Sequence, residues 1–253
     1  MTLAADLLRA VDPVALAREV GMTPDPWQAD ALRDPTDRLL LNCCRQAGKS
    51  TVAALLAVHT AVYEPGSLVL LLSPGQRQSQ ELYRKALTVY RVLGRPVAAE
   101  AENALSLTLE SGSRIISLPG TEATIRGYSG VRLLIVDEAA RVPDELYASV
   151  RPMLAVSGGR LMAMSTPFGQ RGWWHAAWQD EPGWKKVRIP ADKVPRISDV
   201  FLEEERRALG DWQFKQEYGC EFVDTVEQLF TTEQVERAFS ADVQPLFGLG
   251  GAA

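Results

Sequence analysis

A lysine and two hydroxyl residues, Lys49, Ser50 and Thr51, follow Gly48 and an apolar run that begins at Leu39. An apolar strand, a tight loop and GKST at a helix start form the setting of a phosphate-binding loop. In such a loop, backbone N–H groups cradle the phosphates, the lysine reaches the β and γ groups, and the hydroxyl ligates magnesium. The segment therefore predicts a site for ATP and Mg²⁺. The residues expected to bind nucleotide are Cys44, Arg45, Gln46, Ala47, Gly48, Lys49, Ser50 and Thr51.

This loop departs from the usual GxxxxGK[ST] pattern, because Cys43 occupies the first glycine position. An ordinary helix start is the alternative interpretation of the GKS sequence. A second, independent group of phosphate-handling residues is therefore needed to favour a nucleotide site.

Two adjacent carboxylates, Asp137 and Glu138, supply that second group, at the end of the apolar run LLIV. In open α/β sheets, ligands bind beyond the carboxyl ends of the strands. Asp137 is expected to hold magnesium, and Glu138 to orient and activate the attacking water. A solvated loop would explain either carboxylate alone, but the two motifs together favour an ATPase.

Arginines near this site are candidates to neutralise charge during phosphoryl transfer. Arg45 lies inside the loop and is expected to contact the γ-phosphate. Arg126, on the glycine-containing turn TIRGYSG, is expected to act as a finger on a neighbouring subunit. A surface ion pair is the alternative for Arg126, and Arg132 and Arg141 are weaker candidates for the finger.

Two further pairs of residues are expected to serve the base and the coupling step. Trp27 and Gln28 precede the first core strand, where a ring can stack on adenine and an amide can bind its edge. A helix-capping turn with Trp27 in the core is the alternative. Ser165 and Thr166, in STPFG after another strand, are expected to sense the γ-phosphate, although a plain strand-to-turn sequence also fits.

The elements that must position these residues alternate between apolar runs and amphipathic stretches, which predicts an α/β fold with a mainly parallel sheet flanked by helices. A period-two pattern over residues 106–118 predicts a hairpin that adds antiparallel strands at one edge. The predicted strands span 38–42, 67–72, 133–136, 159–164 and 186–189, and the predicted helices 49–63, 76–93, 143–154 and 199–209. Trp173, Trp174 and Trp178 follow at helical spacing and are expected to pack.

Composition excludes several classes of protein. Three cysteines without CxxC spacing and only two histidines argue against a disulfide framework, a zinc site and a Ser-His-Asp triad. No apolar run is long enough to span a bilayer and no secretory pattern begins the chain, so we expect a cytoplasmic protein with no membrane partner. A net charge of −5 leaves room for a local DNA-contacting groove. The best candidate is the polar stretch 73–85, although a charged, solvated helix face is the more common explanation of such a run, and the DNA-binding residues stay unknown.

The order of these motifs resembles the large terminase subunit of tailed bacteriophages, the ATPase that drives DNA into procapsids. The most specific feature is Arg-Gln before AGKS in place of a glycine-rich start. The likeness rests on Trp27, Gln28 and the segments 44–51 (CRQAGKST), 73–79 (SPGQRQS), 125–130 (IRGYSG), 133–140 (LLIVDEAA), 164–174 (MSTPFGQRGWW) and 214–224 (FKQEYGCEFVD).

The resemblance implies a RecA-like P-loop NTPase fold and an ATPase that works as a ring in the cytoplasm of the infected bacterium. It gives Lys49, Ser50, Asp137 and Glu138 their roles directly, makes Arg126 the residue that acts in trans, and makes Ser165 and Thr166 the coupling motif. The implied partners are double-stranded DNA, other copies of the chain, the portal protein and the small terminase subunit.

Members of this family also carry a C-terminal nuclease domain. We expect residues 1–224 to form the ATPase domain with an N-terminal helical, adenine-binding segment, and 225–253 to be a linker toward a nuclease that is absent. This chain should therefore have no nuclease activity. A superfamily-2 helicase and a nucleotide-gated binding module are the competing interpretations; the helicase would need a second RecA-like domain, and Glu138 argues against a module without turnover.

Overall fold

A computed structural model describes residues 3–119, 127–179 and 181–223 of the chain, together with residues 234, 237 and 238. Its centre is a single sheet of eight strands. The strands are β1 (Arg38–Cys43), β2 (Leu68–Ser73), β3 (Ala99–Glu102), β4 (Ser106–Leu109), β5 (Arg114–Pro119), β6 (Val131–Asp137), β7 (Arg160–Ser165) and β8 (Lys185–Ile189).

The strands lie in the order β3-β4-β5-β2-β6-β7-β1-β8. From β5 to β8 all neighbours pair in parallel, whereas β3 and β4 add antiparallel pairs at the β5 edge. This confirms the expected α/β class, with its mainly parallel sheet and antiparallel edge.

Helices cover both faces of the sheet. They are α1 (Leu3–Val11), α2 (Pro13–Glu19), α3 (Pro26–Arg33), α4 (Lys49–Tyr63), α5 (Gln76–Val92), α6 (Asp144–Val150), α7 (Gly172–Gln179) and α8 (Asp199–Glu217). Short 3₁₀ segments follow β6, α6 and β8, at Ala139–Arg141, Arg151–Leu154 and Ala191–Lys193.

Alternate residues of each central strand enter two separate hydrophobic cores. In β1, Leu39 and Leu41 pack into the core covered by α2 to α5 and α8, whereas Leu40 packs into the core covered by α6 and α7. Because both faces are buried, these strands are uninterrupted apolar runs, which is why their positions could be predicted. Trp173 and Trp174 are buried in the second core and Trp178 packs against it, so their expected packing role is confirmed.

Two predicted helices have different limits in the structure. The helix expected over 143–154 is α6 followed by a 3₁₀ segment that contains Pro152, because proline cannot continue the α-helical hydrogen bonding. The helix expected to end at Leu209 continues to Glu217 across a kink at Gly210, whose φ is +76°. Ser198 caps its start by accepting a hydrogen bond from the backbone N–H of Phe201.

Within the described residues, no helix combines the length and the apolar character that crossing a bilayer requires. Cys43, Cys44 and Cys220 are free thiols buried in the first core. Burial raises the pKa of Cys44 to about 11, so this thiol stays protonated near neutral pH.

Candidate nucleotide-binding site

Three neighbouring strands end level with one another at the carboxyl edge of the sheet. The central one is β7, which pairs Ser165 with Asn42 of β1 on one side and Met164 with Asp137 of β6 on the other. The segments that follow β1, β6 and β7 therefore meet at one place. These are the segments that carry the predicted phosphate, metal and coupling residues.

The loop after β1 has a backbone that only certain residues tolerate. Gln46 has φ of +59° and Gly48 has φ of +91°, both in the left-handed region. A Cβ atom on Gly48 would also lie 2.6 Å from Nε2 of Gln28. Glycine is thus required at position 48 for two reasons, and the loop then leads directly into α4 at Lys49.

The side chains of the two distant motifs are in contact. Lys49 Nζ lies 3.0 Å from Glu138 Oε1. Ser50 Oγ donates to Asp137 Oδ2 over 3.4 Å, joining residues that are 87 positions apart in the chain. The structure therefore brings together four of the predicted site residues, Lys49, Ser50, Asp137 and Glu138.

The electrostatics of this cluster are unfavourable for an empty protein. Burial raises the pKa of Asp137 to about 6; the charge of Lys49 opposes this rise and that of Glu138 adds to it. Burial alone would lower the pKa of Lys49, but the charges of Glu138 and Asp137 outweigh burial and raise it. The lysine is therefore charged; it is paired with Glu138, and the charge of Asp137 also acts on it.

Glu138 has a backbone conformation that is uncommon for its residue type. Its φ and ψ are +50° and +43°, in the left-handed region, and it precedes the 3₁₀ segment Ala139–Arg141. Its backbone N–H donates to Asp137 Oδ1 over 3.0 Å. A non-glycine residue in this region costs about 1–3 kcal/mol and is found mainly at functional sites. The turn aims the carboxylate at Lys49 rather than into solvent.

A cavity of 320 Å³ lies over this cluster. Besides Lys49 and Glu138 it is lined by the predicted residues Arg45, Gln46 and Thr166, and by Gln78 and Arg141. The sequence indicates Arg141 only as a weaker candidate for the arginine finger, and it places Gln78 only in the stretch expected to contact DNA. Arg141 lies in the 3₁₀ segment after β6 and Gln78 in the first turn of α5, and spacing along the chain does not show that these two elements meet at the cavity.

Arg45 lines this cavity and is also held at its rim by a distant residue. Its Nε donates to Glu217 Oε2 over 2.7 Å, and its backbone N–H donates to the Glu217 carbonyl over 3.0 Å. Glu217 is buried and Arg45 is exposed. The last turn of α8 therefore fixes one wall of the loop, a contact that the sequence did not predict.

Gln28 and Trp27 lie behind the loop. Gln28 is 1% exposed, and its amide is used on both sides: Oε1 accepts from Asp25 N over 2.9 Å, and Nε2 donates to Ala47 O over 3.3 Å. Arg196 Nη2 donates to the same carbonyl over 2.8 Å. Trp27 is 8% exposed and lines a separate cavity of 490 Å³ beside β8. Their adenine-binding role stays a prediction.

Ser165, the last residue of β7, and Thr166, the residue after it, have different surroundings. Ser165 Oγ is buried with no hydrogen-bond partner among the described residues, whereas Thr166 lines the cavity. Arg132 points away from the site, because it pairs with Glu64 at the amino end of β6. Arg126 lies outside the described residues, so its predicted role across a subunit boundary stays a prediction.

The loop and the strand ends suit a magnesium ion beside a phosphate. Mg²⁺ takes oxygen ligands at about 2.0–2.1 Å in octahedral geometry, so neighbouring ligands lie about 3 Å apart, and it usually uses one or two carboxylates plus phosphate oxygens. Ser50 Oγ and Asp137 Oδ2, 3.4 Å apart, fit such a pair. Within the described part of the chain, no group of three or more His, Cys, Asp or Glu side chains is placed to hold a metal ion.

Comparison with known proteins gives a consistent result. A family model of the N-terminal part of terminase large subunits, T4likevirus type, matches residues 40–237. The large terminase subunit of Thermus virus P23-45 is 26% identical over 248 residues, an alignment that covers 84% of this chain and 51% of that protein. The chain thus spans about half the length of the curated relatives it matches.

Solved structures agree at the level of the fold. The ATPase domain of the large terminase of Thermus phage P74-26 superposes with a TM-score of 0.73 at 23% identity, covering 82% of this chain and 97% of that domain. The large terminase of the thermophilic bacteriophage D6E, in complex with ADP, superposes with a TM-score of 0.63 at 16% identity, covering 79% of this chain and 54% of that protein. The expected RecA-like P-loop NTPase fold is confirmed.

Proposed function

This chain belongs to the family of terminase large subunits, and from that premise we propose that it hydrolyses ATP to drive double-stranded viral DNA into a procapsid. The proposal assigns the reaction to the cavity at the ends of β1, β6 and β7. The D6E large terminase forms a complex with ADP, which supports a nucleotide as the ligand of this chain.

One observation carries the proposal: Lys49 and Glu138 converge at 3.0 Å although 89 positions separate them in the sequence. A structural ion pair would explain their contact alone. It would not explain why Asp137, a second carboxylate with a raised pKa, is buried beside them and bonded to a serine of the loop. A buried carboxyl whose pKa is raised beside a charged cluster is typical of functional sites, and here it supports the entry of phosphate and metal charges.

The side chains divide the work of hydrolysis. The loop N–H groups and the start of α4 bind the phosphates. Lys49 breaks its ion pair with Glu138 and neutralises the charge of the terminal phosphate. Glu138, released from this ion pair, orients a water molecule and accepts its proton. Arg45 stabilises the charge that develops on the phosphoryl oxygens. Trp27 and Gln28 position the base.

Magnesium is the expected cofactor, held by Ser50 and Asp137. When bound, it neutralises the phosphate oxygens. The raised pKa of Asp137 means that the ion also removes a cost of the fold, because a cation favours the charged carboxylate.

The remaining parts of the proposal concern assembly. Residues 1–224 form the ATPase unit, which works as a ring in the cytoplasm of the infected bacterium, with the portal protein and the small subunit as further partners. Arg126 acts in trans on a neighbouring site, and Ser165 and Thr166 pass the state of the nucleotide to the rest of the motor.

The test is turnover with Mg²⁺-ATP by wild type, Glu138→Gln and the control Glu145→Gln, which changes an exposed glutamate in α6. Loss of a general base lowers turnover by about 10²–10⁴-fold, so Glu138→Gln should lose activity by this factor while still binding ATP. Glu145→Gln should stay within about twofold of wild type, as expected of a surface change.

Equal turnover by wild type and Glu138→Gln would refute the role of Glu138. ATP binding by wild type without any turnover would instead favour a nucleotide-gated binding module, and strand displacement would favour a helicase. Translocation is tested with the full-length protein and portal-bearing procapsids. Wild type should protect DNA from added nuclease, and Glu138→Gln should not.

A further inference from the structure

Arg141 occupies an unusual place between the nucleotide cavity and the loop after β7. It ends the 3₁₀ segment that begins just after Glu138, and its backbone N–H donates to the Glu138 carbonyl over 2.8 Å. Its side chain lines the same 320 Å³ cavity as Lys49, Glu138 and Thr166. A positive group therefore faces the region where the terminal phosphate of ATP is proposed to lie.

The guanidinium of Arg141 rests on an aromatic ring. Its Cζ lies 4.3 Å from the centroid of Phe168, a half-buried residue that comes two positions after Thr166. Arg171 places a second guanidinium over the same ring, at 5.3 Å. Within the described residues neither arginine forms an ion pair, so two like charges share one ring without a carboxylate to neutralise them.

This arrangement leaves Arg141 weakly held. A cation–π contact at an exposed site is weaker than a charge-assisted hydrogen bond to a phosphate, which a planar guanidinium makes with two N–H groups. The repulsion from Arg171 weakens the contact further. A phosphate that enters the cavity therefore offers Arg141 a stronger partner than Phe168.

We propose that Arg141 is the residue by which this site distinguishes ATP from ADP, exchanging its contact with Phe168 for one with the terminal phosphate. The inference rests on the proposed function, since it requires nucleotide in this cavity. ADP lacks the terminal phosphate, so with ADP bound the guanidinium stays on Phe168. The exchange removes one of the two cations that lie over Phe168, the ring that follows Ser165 and Thr166, and this links the identity of the nucleotide to that loop.

The experiment compares Arg141→Ala with Arg171→Ala, because both guanidiniums lie over Phe168 but only Arg141 lines the cavity. The affinities for a non-hydrolysable ATP analogue and for ADP, each with Mg²⁺, are measured by calorimetry. Arg141→Ala should weaken binding of the analogue about tenfold and leave ADP affinity within about twofold, as loss of one charged contact to the phosphate predicts. Arg171→Ala should leave both affinities near wild type, and Arg141→Lys should recover part of the preference.

Thermal unfolding of each variant verifies that it is folded. If Arg141→Ala keeps the wild-type ratio of the two affinities, or if Arg171→Ala lowers that ratio equally, the inference is wrong while the proposed function stands. If wild type binds neither nucleotide, both fail together. Should Arg141→Ala be unstable, the ratio in Arg141→Lys decides, since an unchanged ratio there contradicts a role that depends on the planar guanidinium.

Discussion

Two aspartates of almost equal burial, Asp34 at 5% exposure and Asp137 at 6%, lie at opposite ends of the sheet. At the amino end, burial would raise the pKa of Asp34, but hydrogen bonds from Lys185 and Thr36 outweigh burial and lower it. At the carboxyl end, burial raises the pKa of Asp137 to about 6, against the charge of Lys49 and with that of Glu138.

The difference separates a charge that stabilises the fold from one that is placed for a ligand. Asp34 has its partners within the protein, since it also accepts a backbone N–H of Thr36 over 2.9 Å. Asp137 accepts the backbone N–H of Glu138 over 3.0 Å and a long hydrogen bond from Ser50, but the nearby lysine, Lys49, is paired with Glu138 instead. Two aspartates of similar solvent exposure therefore have opposite pKa shifts. We predict that the end with the raised pKa, at Asp137, is the one that binds a cation.

The variant Asp137→Asn should show the largest effect of the changes that test this difference between the two aspartates. If Asp137 holds the metal, its loss should lower ATP turnover by at least about 100-fold, because the metal contributes several kcal/mol to the transition state. At the same time the empty protein should become more stable at pH 7. A shift from 3.8 to about 6 corresponds to about 3 kcal/mol at most, at about 1.4 kcal/mol per pKa unit.

Urea unfolding without nucleotide measures the second effect, and steady-state turnover the first. A folded carboxyl whose pKa is raised destabilises the protein increasingly from about pH 4 to 6, so the gain in Asp137→Asn should vanish at pH 4. Lower stability of Asp137→Asn at pH 7 would contradict the assignment of Asp137 as an uncompensated charge.

Two glycines in the left-handed region, one at each end of the sheet, give a second test of the difference between the two ends. Gly48 at the carboxyl end and Gly66 at the amino end have φ of +91° and +75°, but a Cβ would meet Gln28 Nε2 only at Gly48 and open space at Gly66. Gly66→Ala should cost about 1 kcal/mol through backbone strain alone, and Gly48→Ala about 2–3 kcal/mol. Urea unfolding measures both.

Only Gly48→Ala should also weaken nucleotide binding, because its loop N–H groups would shift. Calorimetry with the ATP analogue checks this, and Gly66→Ala serves as the control for a left-handed glycine outside the site. Equal costs and equal affinities in the two variants would show that Gln28 does not constrain the loop.

The site residues at the carboxyl end of the sheet were easier to predict from sequence than the residues that hold the loop after β1 in place. Both motifs stand at or soon after the end of a strand with both faces buried, and such a strand appears in the sequence as an apolar run. This pattern is what led to the prediction of Lys49, Ser50, Asp137 and Glu138. The parallel core strands were found for the same reason. The edge strand β3, with sequence AEAE and exposed residues, has no such pattern and was missed.

The contacts that hold the loop were not predictable, because they come from far along the chain. Arg196 reaches Ala47 from 149 positions away and Glu217 reaches Arg45 from 172. Arg196 belongs to no motif, and although Glu217 lies in the segment 214–224, nothing in that segment indicates a contact with Arg45. Both contacts depend on how α8 and the segment before it return to the sheet. Local spacing therefore identified the residues expected to handle phosphate and metal, whereas the residues that hold the loop in place could be identified only from the tertiary structure.

The smallest effect belongs to Asp34→Asn, which removes a charge at the end of the sheet remote from the cavity. Lys185 is half exposed, so the lost charged hydrogen bonds should cost about 1–2 kcal/mol at pH 7. A carboxyl with a lowered folded pKa gives stability above its unfolded pKa and loses it as pH falls through the folded value. The deficit of Asp34→Asn should therefore be complete at pH 7 and shrink below about pH 4, whereas the gain of Asp137→Asn grows from pH 4 to 6. ATP turnover should stay within about twofold of wild type, because the pair of Asp34 and the half-exposed Lys185 lies far from the phosphates and makes no contact with the reacting groups.

Urea unfolding of both variants across pH measures whether each substitution raises or lowers the free energy of unfolding. A change in the same direction for both would mean that burial, rather than the partners of each aspartate, decides its contribution to stability.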